Sequence, residues 1–368
     1  MCGSDASQEA VLADVRDVVV IGGGQAGLAA GYFLRRAKLD FVILDDQPEP
    51  GGAWRHYWDS LRLFSPAEYS PLPGWWMPRQ PGEEFPTGDH VVGYLADYEK
   101  RYQLPVRRPV RVEGVHDVGA WLAVQTDQEL WRAGIVISAT GTWDAPHVPS
   151  YPGQSAFSGR QLHTDSYRSP KEFSGQRVVV VGGGNSAAQI LAEVSTVAET
   201  TWVTRRPPRF MPDDVDGRVL FDVATQRETA RRAGVPDTGG TRSLGDIVMV
   251  PSVLDARERG VLHAEPMFDR LTEHGVAWDD GHGLACDAII WCTGFRPALR
   301  HLAPLQLRTE DGVVPTDGAR SVQEPRLHLL GYGDWTGWAS ATLVGAARTA
   351  KSAVAEILEQ FESDEAAV

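Results

Sequence analysis

One stretch of this chain occurs twice. The run DVVVIGGGQAGLAA, from Asp17 to Ala30, returns as RVVVVGGGNSAAQI, from Arg177 to Ile190. The glycines that open the two turns, Gly22 and Gly182, lie 160 residues apart. A second pair follows in the same order: ISATGTWDAP, from Ile137 to Pro146, and IWCTGFRPAL, from Ile290 to Leu299, with Gly141 and Gly294 in matching places. Each copy reads as a buried strand, a glycine turn and a helix, closed by a later strand that ends in Thr-Gly. Short β-branched runs such as Val18–Ile21 and Val178–Val181 suit strands covered on both faces. The expected fold is therefore α/β, with two Rossmann-like dinucleotide-binding domains, the second inserted in the first.

The first copy carries Gly22-x-Gly24-x-x-Gly27. The first glycine makes the tight turn, the second lets backbone approach a pyrophosphate, and the third lets helix and strand pack closely. A helix is expected over Ala26–Arg36, and the amides at its start, about Gln25 and Ala26, would face the phosphates. Phe41–Leu44 is the next strand. Asp45 ends it, 23 residues past Gly22, near the spacing of an acid that binds ribose hydroxyls. This pattern suits the adenylyl half of FAD.

The second copy reads Gly182-x-Gly184-x-x-Ala187, with alanine in the third glycine position. Its next strand, Thr201–Val203, ends without an acid: Arg205 and Arg206 follow, and Arg205 has the same offset from Gly182 that Asp45 has from Gly22. An acid there repels a 2′-phosphate and an arginine pairs with it. The second site is expected to take NADPH in preference to NADH. The plainer reading of Arg205 is a solvated basic turn ahead of Pro207.

Composition narrows the partners. The 368 residues include 49 acidic and 35 basic side chains, for a net charge of −14. Such a balance repels nucleic-acid phosphates and anionic membranes. No apolar run reaches the ~20 residues of a membrane span. The start, Met1–Arg16, is polar and acidic and lacks the signature of a signal peptide, which predicts a frayed leader on a cytoplasmic protein. Of three cysteines, no two have C-x-x-C spacing. Cys286 and Cys292 would sit ~20 Å apart on an extended strand, too far to share a metal. No metal site is expected.

Further motifs carry a resemblance. Gly51-Gly52-x-Trp54 follows the first acid, Phe157-x-Gly159-x-x-x-His163-x-x-x-Tyr167 precedes the second glycine turn, and Gly331-Tyr332-Gly333-Asp334 lies near the C-terminus. Together they resemble the class B flavin monooxygenases over nearly the whole chain. Three stretches, at 54–66, 208–222 and 329–337, are similar to the arsenic-resistance-operon (ArsO-type) members. The resemblance implies that Gly22, Gly24, Gly27 and Asp45 hold the adenylyl side of FAD, and that Gly52 and Trp54 lie along it toward the isoalloxazine. It gives Val112 a backbone contact with adenine, and Thr140 and Gly141 the closure of the pyrophosphate pocket. Asp334 would bind the ribityl chain. A helix from about Ala341 would point its positive end at the flavin. NADPH would be held by Gly182, Gly184, Asn185, Ser186, Ala187, Arg205 and Arg206. Where many relatives carry an asparagine facing the flavin, this chain reads Leu63-Phe64-Ser65-Pro66. Leu63 and Ser65 are assigned to the cofactor's surroundings, but the asparagine's role does not carry over. His163 is either a structural histidine of the interdomain crossing or a proton-transfer group. The Trp75-Trp76 pair either walls the site's entrance or anchors its own loop.

The expected organisation is an FAD domain at 1–166 and 300–368, with an NADPH domain inserted at 167–299. The stretch at 210–260 lacks periodicity and is expected to shape substrate access. An acidic tail covers Glu359–Glu365. No acid–base or nucleophile constellation stands out, as suits an enzyme whose cofactor carries the hard chemistry. The resemblance implies a monooxygenase that reduces FAD with NADPH and, with dioxygen, uses a flavin peroxide to oxygenate a soft nucleophilic small molecule, an arsenical among the candidates. The alternatives are an NADPH reductase or oxidase that releases hydrogen peroxide, and a non-catalytic flavin sensor.

Overall fold

The computed structural model describes residues 14–213, 215, 217–219, 246–309 and 312–366. The polar leader with Cys2, and the larger part of the expected access segment at 210–260, lie outside the described residues. So do the side chains of the acidic tail past Ser363.

The first unit is built on a parallel centre. Strand β1 (Val15–Ile21) lies between β2 (Phe41–Leu44) and β6 (Leu130–Ser138), parallel to both. Beyond β2, after helix α2 (Gly88–Arg101), lies the short β3 (Val106–Arg107). Strands β4 (Val112–Asp117) and β5 (Leu122–Thr126) form an antiparallel pair whose second member also bonds β6. Alternate residues of a strand face opposite ways, and here both faces are covered. Val18, Val20 and Ile43 pack under helix α1 (Gln25–Ala37), while Val19, Ile21, Val42 and Leu44 pack against Val115, Val124 and Trp131. That double burial is why these strands read as unbroken apolar runs.

The chain then leaves for the second unit. Its sheet runs in the order β10 (Ala264–Pro266), β9 (Glu199–Thr204), β8 (Arg177–Val181), β14 (Ala288–Trp291), β7 (Arg160–His163), all parallel. The triplet β9-β8-β14 repeats β2-β1-β6 of the first unit. Strands β11 (Arg270–Thr272), β12 (Gly275–Ala277) and β13 (Gly283–Ala285) form a separate antiparallel sheet. Helix α3 (Asn185–Val194) covers β8, as α1 covers β1.

The last segment returns to the first sheet. Strands β15 (Thr316–Asp317), β16 (Arg320–Ser321) and β17 (Leu327–Leu329) extend it, with β17 parallel to β6. The helix Leu343–Ala366 then lays Ala346, Ala350, Ala353 and Ile357 into the core beside α1.

One boundary differs from expectation. Residues 160–163, expected in the first domain, form the edge strand of the second sheet, and Phe157 packs with Val179, Phe268 and Trp291 in the second core. The outgoing crossing therefore precedes Arg160, not residue 167.

Candidate active site

Strands β1, β2, β6 and β17 are parallel, so their carboxyl ends meet at one edge, the usual place for a ligand on such a sheet. A cavity of about 1080 Å³ opens there. Its walls include Gly22, Gly24, Gln25, Ala26, Asp45, Gly52, Trp54, Val112, Thr140, Gly141 and Ala341, all anticipated as cofactor contacts.

The glycines explain the opening. Gly22 has φ +105°, and a side chain on it would strike the Ala139 carbonyl oxygen at 2.5 Å. A side chain on Gly27 would come within 1.9 Å of the Gly22 oxygen, so helix and turn touch only because both lack one. Gly24 differs: a Cβ there meets nothing nearer than Gly52 Cα at 3.9 Å. Its missing side chain clears the cavity, and Gly141 likewise faces open space. Helix α1 starts at this point with no side-chain cap and no acid in its first turn. Free amides and the positive helix end make the place suited to a diphosphate. The residues thus fit the pyrophosphate of a dinucleotide such as FAD. Gln25 fastens the surroundings: it accepts from Trp54 Nε1 (2.9 Å) and donates to the Ala341 carbonyl (2.7 Å).

Asp45 is 4% exposed at the end of β2. Arg108 Nε donates to it at 2.9 Å, Arg108 Nη2 lies 2.8 Å away, and Arg108 Nη1 reaches both oxygens of Glu99. Burial raises the Asp45 pKa above the usual carboxylate value, and the arginine opposes that rise. Gly23 makes room for the pair: a Cβ there would lie 2.6 Å from Asp45 Oδ2. Neither Arg108 nor Gly23 was singled out in the sequence. Gly23 stood in plain view inside the motif, whereas nothing near Arg108 marks it.

Four expected contacts lie off the cavity wall. Gly27 acts through packing. Leu63 is buried in the core cluster under α1, and Ser65, 3% exposed, shares a hydrogen bond with Ser70 Oγ. Asp334 is exposed, its Oδ1 accepting from the Ala339 amide. Of Gly331–Asp334 it is Gly331 that lines the cavity, while Tyr332 is buried with its hydroxyl bonded to Ser138 Oγ and Thr140 Oγ1. Ser138 Oγ also bonds His301 Nε2, and His301 lines the cavity. Desolvation pulls the His301 pKa down to about 4. The C-terminal helix begins at Leu343 rather than Ala341, with Thr342 Oγ1 accepting from the Gly345 amide.

The second turn repeats the first. Gly182 has φ +138°, and its absent Cβ would meet the Cys292 oxygen at 2.2 Å, as Gly22 meets Ala139. Gly184 faces open space. Helix α3 also starts uncapped and without an acid. Ser186 lies in this first turn, and Ala187 is buried against β8. Asn185 stands at the helix start, where its Oδ1 accepts from the Val248 amide (2.8 Å) and pins a later segment there. Arg205 and Arg206 are exposed, and neither makes an ion pair among the described residues.

Between the units the two Thr-Gly crossings lie side by side. Pro146 bridges Phe295, and the His147 amide donates to the Gly294 carbonyl (2.9 Å). Trp143 stacks on Phe295, and both line the cavity. His163 is 5% exposed, with Nε2 on the Gly294 carbonyl (3.0 Å) and Nδ1 accepting from the Asp165 amide. That is a neutral ring, its pKa lowered chiefly by burial, so the structural reading fits it. Trp75 packs on Tyr94 and under Arg101, while Trp76 is 69% exposed; neither lines the cavity. The buried cysteines have pKa values pushed up by desolvation to about 11 (Cys286) and about 12 (Cys292), which leaves them as thiols.

Two like-built nucleotide units with an open cavity at the first define a two-nucleotide oxidoreductase. Residues 19–231, more than half the chain, match the family model of the pyridine nucleotide-disulphide oxidoreductases. A flavin-containing monooxygenase from Stenotrophomonas maltophilia has the same fold, with a TM-score of 0.86 and 52% identity over 94% of this chain and 99% of that one. The uncharacterized oxidoreductase CzcO of Bacillus subtilis (strain 168) is 28% identical over 325 residues, 86% of this chain and 93% of that protein. Indole-3-pyruvate monooxygenase YUCCA1 of Oryza sativa subsp. japonica is 28% identical over 317 residues, 77% of each. The chain belongs to the pyridine nucleotide-disulphide oxidoreductase family, on its class B flavin monooxygenase-like branch. It is an oxidoreductase of the monooxygenase type. Among the described residues no helix is long and apolar enough to cross a membrane.

Proposed function

We propose that the chain is an NADPH-dependent FAD monooxygenase acting on a small, soft nucleophile. The observation that carries this reading is the contrast between its two repeats. At one strand end a buried acid, Asp45, lines the large cavity; at the matching end of the other stands an exposed Arg205 with no ion pair among the described residues. An acid suits the free ribose of FAD and an arginine suits a 2′-phosphate. FAD, when bound, supplies hydride acceptance and dioxygen activation.

The protein's part is to bind, orient and shield. The amides at the start of α1 would hold the pyrophosphate, and Gln25 fixes Trp54 against the helix entrance. Trp143 and Phe295 stack to give one wall of the cavity an aromatic face. Thr140 Oγ1 bonds the Tyr332 hydroxyl, and His301 Nε2 reaches the same hydroxyl through Ser138 Oγ.

Purified enzyme with FAD, followed for NADPH use, oxygen uptake and product, tests the reading. Trivalent arsenicals, thioethers and amines are the substrates to try, the arsenicals because of the ArsO-type sequence likeness. Oxygenated product matching the NADPH consumed supports it. Hydrogen peroxide in full yield with every candidate supports the oxidase alternative, which the absence of an asparagine at 63–66 favours. Arg205→Ala is expected to raise the NADPH KM about tenfold, on the order of 1.4 kcal/mol, with the NADH KM little changed. Equal changes for both overturn the 2′-phosphate assignment.

A further inference from the structure

A chain of hydroxyls behind the first cavity fixes where one proton sits. Thr140 Oγ1 lies 2.8 Å from the Ala298 carbonyl oxygen and 2.7 Å from the Tyr332 hydroxyl. That hydroxyl also meets Ser138 Oγ, and Ser138 Oγ lies 2.9 Å from His301 Nε2. Each contact needs one proton between its two heavy atoms. The carbonyl can only accept, so Thr140 donates to Ala298. Thr140 then accepts from Tyr332, Tyr332 accepts from Ser138, and Ser138 accepts from His301. The Thr140 amide, at 3.2 Å, fills the remaining acceptor place on Tyr332. The ring proton of His301 is therefore held on Nε2.

A neutral imidazole protonated on Nε2 presents Nδ1 as an acceptor. The ring is 7% exposed, and desolvation keeps it neutral, with a pKa of about 4. Its Nδ1 has no partner among the described residues, and it is not one of the polar atoms that the protein closes off. Since His301 lines the first cavity, that acceptor opens into it.

The fold places His301 with the residues expected around adenine. It belongs to the 3-10 turn Arg300–Leu305, which leans on β4. Leu302 packs with Val110 and Val115, and a Cβ on Gly114 would lie 3.3 Å from Pro304 Cγ. Val112, expected against adenine, begins β4 and lines the same cavity. Trp54 and Ala341, expected toward the flavin rings, gather instead around Gln25 at the start of α1. A dinucleotide offers few donors at its adenylate end. Its phosphates only accept, and a neutral acceptor repels them. Its ribose hydroxyls have Asp45. The donor left over is the exocyclic amine of the base.

We propose that His301 Nδ1 accepts a hydrogen bond from the 6-amino group of the cofactor's adenine, which makes His301 a specificity-determining residue against bases that carry a 6-oxo group. The proposal rests on the reading that this cavity holds FAD. A 6-oxo base sets acceptor against acceptor, and a buried polar group left without its partner is rejected far more strongly than a change of shape alone.

The test compares FAD with its analogue in which hypoxanthine replaces adenine. The full-length enzyme is loaded with either cofactor and diluted in steps, and released flavin is read by its fluorescence. The unaltered enzyme should hold FAD about tenfold more tightly than the analogue or better. His301→Gln sets an amide near the place of Nε2, within reach of Ser138, and leaves the place of Nδ1 empty; it should lose most of that preference. His301→Asn sets its Oδ1 near the place of Nδ1 and gives up Ser138; it should keep the preference even where both cofactors bind more weakly. Equal retention of FAD and the analogue by the unaltered enzyme overturns the proposal without need of a variant. A preference unchanged in His301→Gln, with both cofactors weakened alike, reduces His301 to a structural support and overturns it too. Failure to take up either cofactor overturns the FAD reading itself, and the proposal with it.

Discussion

Asp45 has neighbours on two sides: the open cavity and the guanidinium of Arg108, which Glu99 holds in turn. The side chains of Asp45 and Arg108 are 5% and 10% exposed. Removing one partner of a buried pair strands the other charge, at a cost of about 3–5 kcal/mol. Arg108→Met should lower the free energy of unfolding by that amount, as measured by urea denaturation. Asp45→Asn combined with Arg108→Met should recover most of it. A loss under about 1 kcal/mol for Arg108→Met would show that the pair is not a structural support. At this scale the sequence was half legible. Asp45 is found by its offset from Gly22. Arg108 is 63 residues away, and a contact formed by the closing of a sheet leaves no local pattern. Leu63, Ser65 and Asp334, placed near the cofactor by likeness of motif, do not line the cavity, since such a likeness carries no information on the direction of a side chain.

The two glycines of the α1 turn separate binding from folding. Gly24 has φ −79°, which any residue can adopt, and clear space around it. Gly27 is closed by the Gly22 oxygen. Gly24→Ala should therefore leave the unfolding midpoint of FAD-free protein within about 0.5 kcal/mol of the original, the usual range for a change that breaks no contact, yet weaken FAD at least tenfold. Gly27→Ala should damage both properties. Equal stability losses in the two variants would refute this division of roles. The strands around these turns were legible because both faces are buried and the apolar runs are unbroken. Arg160–His163 was assigned to the wrong unit for the converse reason. Only Leu162 and His163 of that strand are buried, and it owes its form to pairing with β14 rather than to its own pattern. The bond from the returning Val248 amide to Asn185 Oδ1 likewise has no local signal, since it joins segments 63 residues apart.

At the scale of the molecule, three buried histidines set a response to acid. Desolvation lowers His163 and brings His301 and His328 to about 4, against an ordinary value of 6.5. The unfolded chain therefore takes up these protons first. The stability they represent is complete above pH 6.5 and is lost as pH falls toward 4. By pH 5 the cost is about 2 kcal/mol each for His301 and His328. Urea unfolding at pH 7.5 and pH 5 should show that decline, and a flat profile would contradict it. The plan of two nucleotide units was legible throughout, since each repeat encodes one complete turn. What was not legible is how the chain closes its first sheet. Strand β17 and the helix beside α1 are translated only after the whole inserted unit. On the ribosome, then, the second unit has all its strands while β6 still shows an unpaired edge. The half that begins first is finished last, so the nascent chain carries the end of β6 unpaired while about half of the sequence is made.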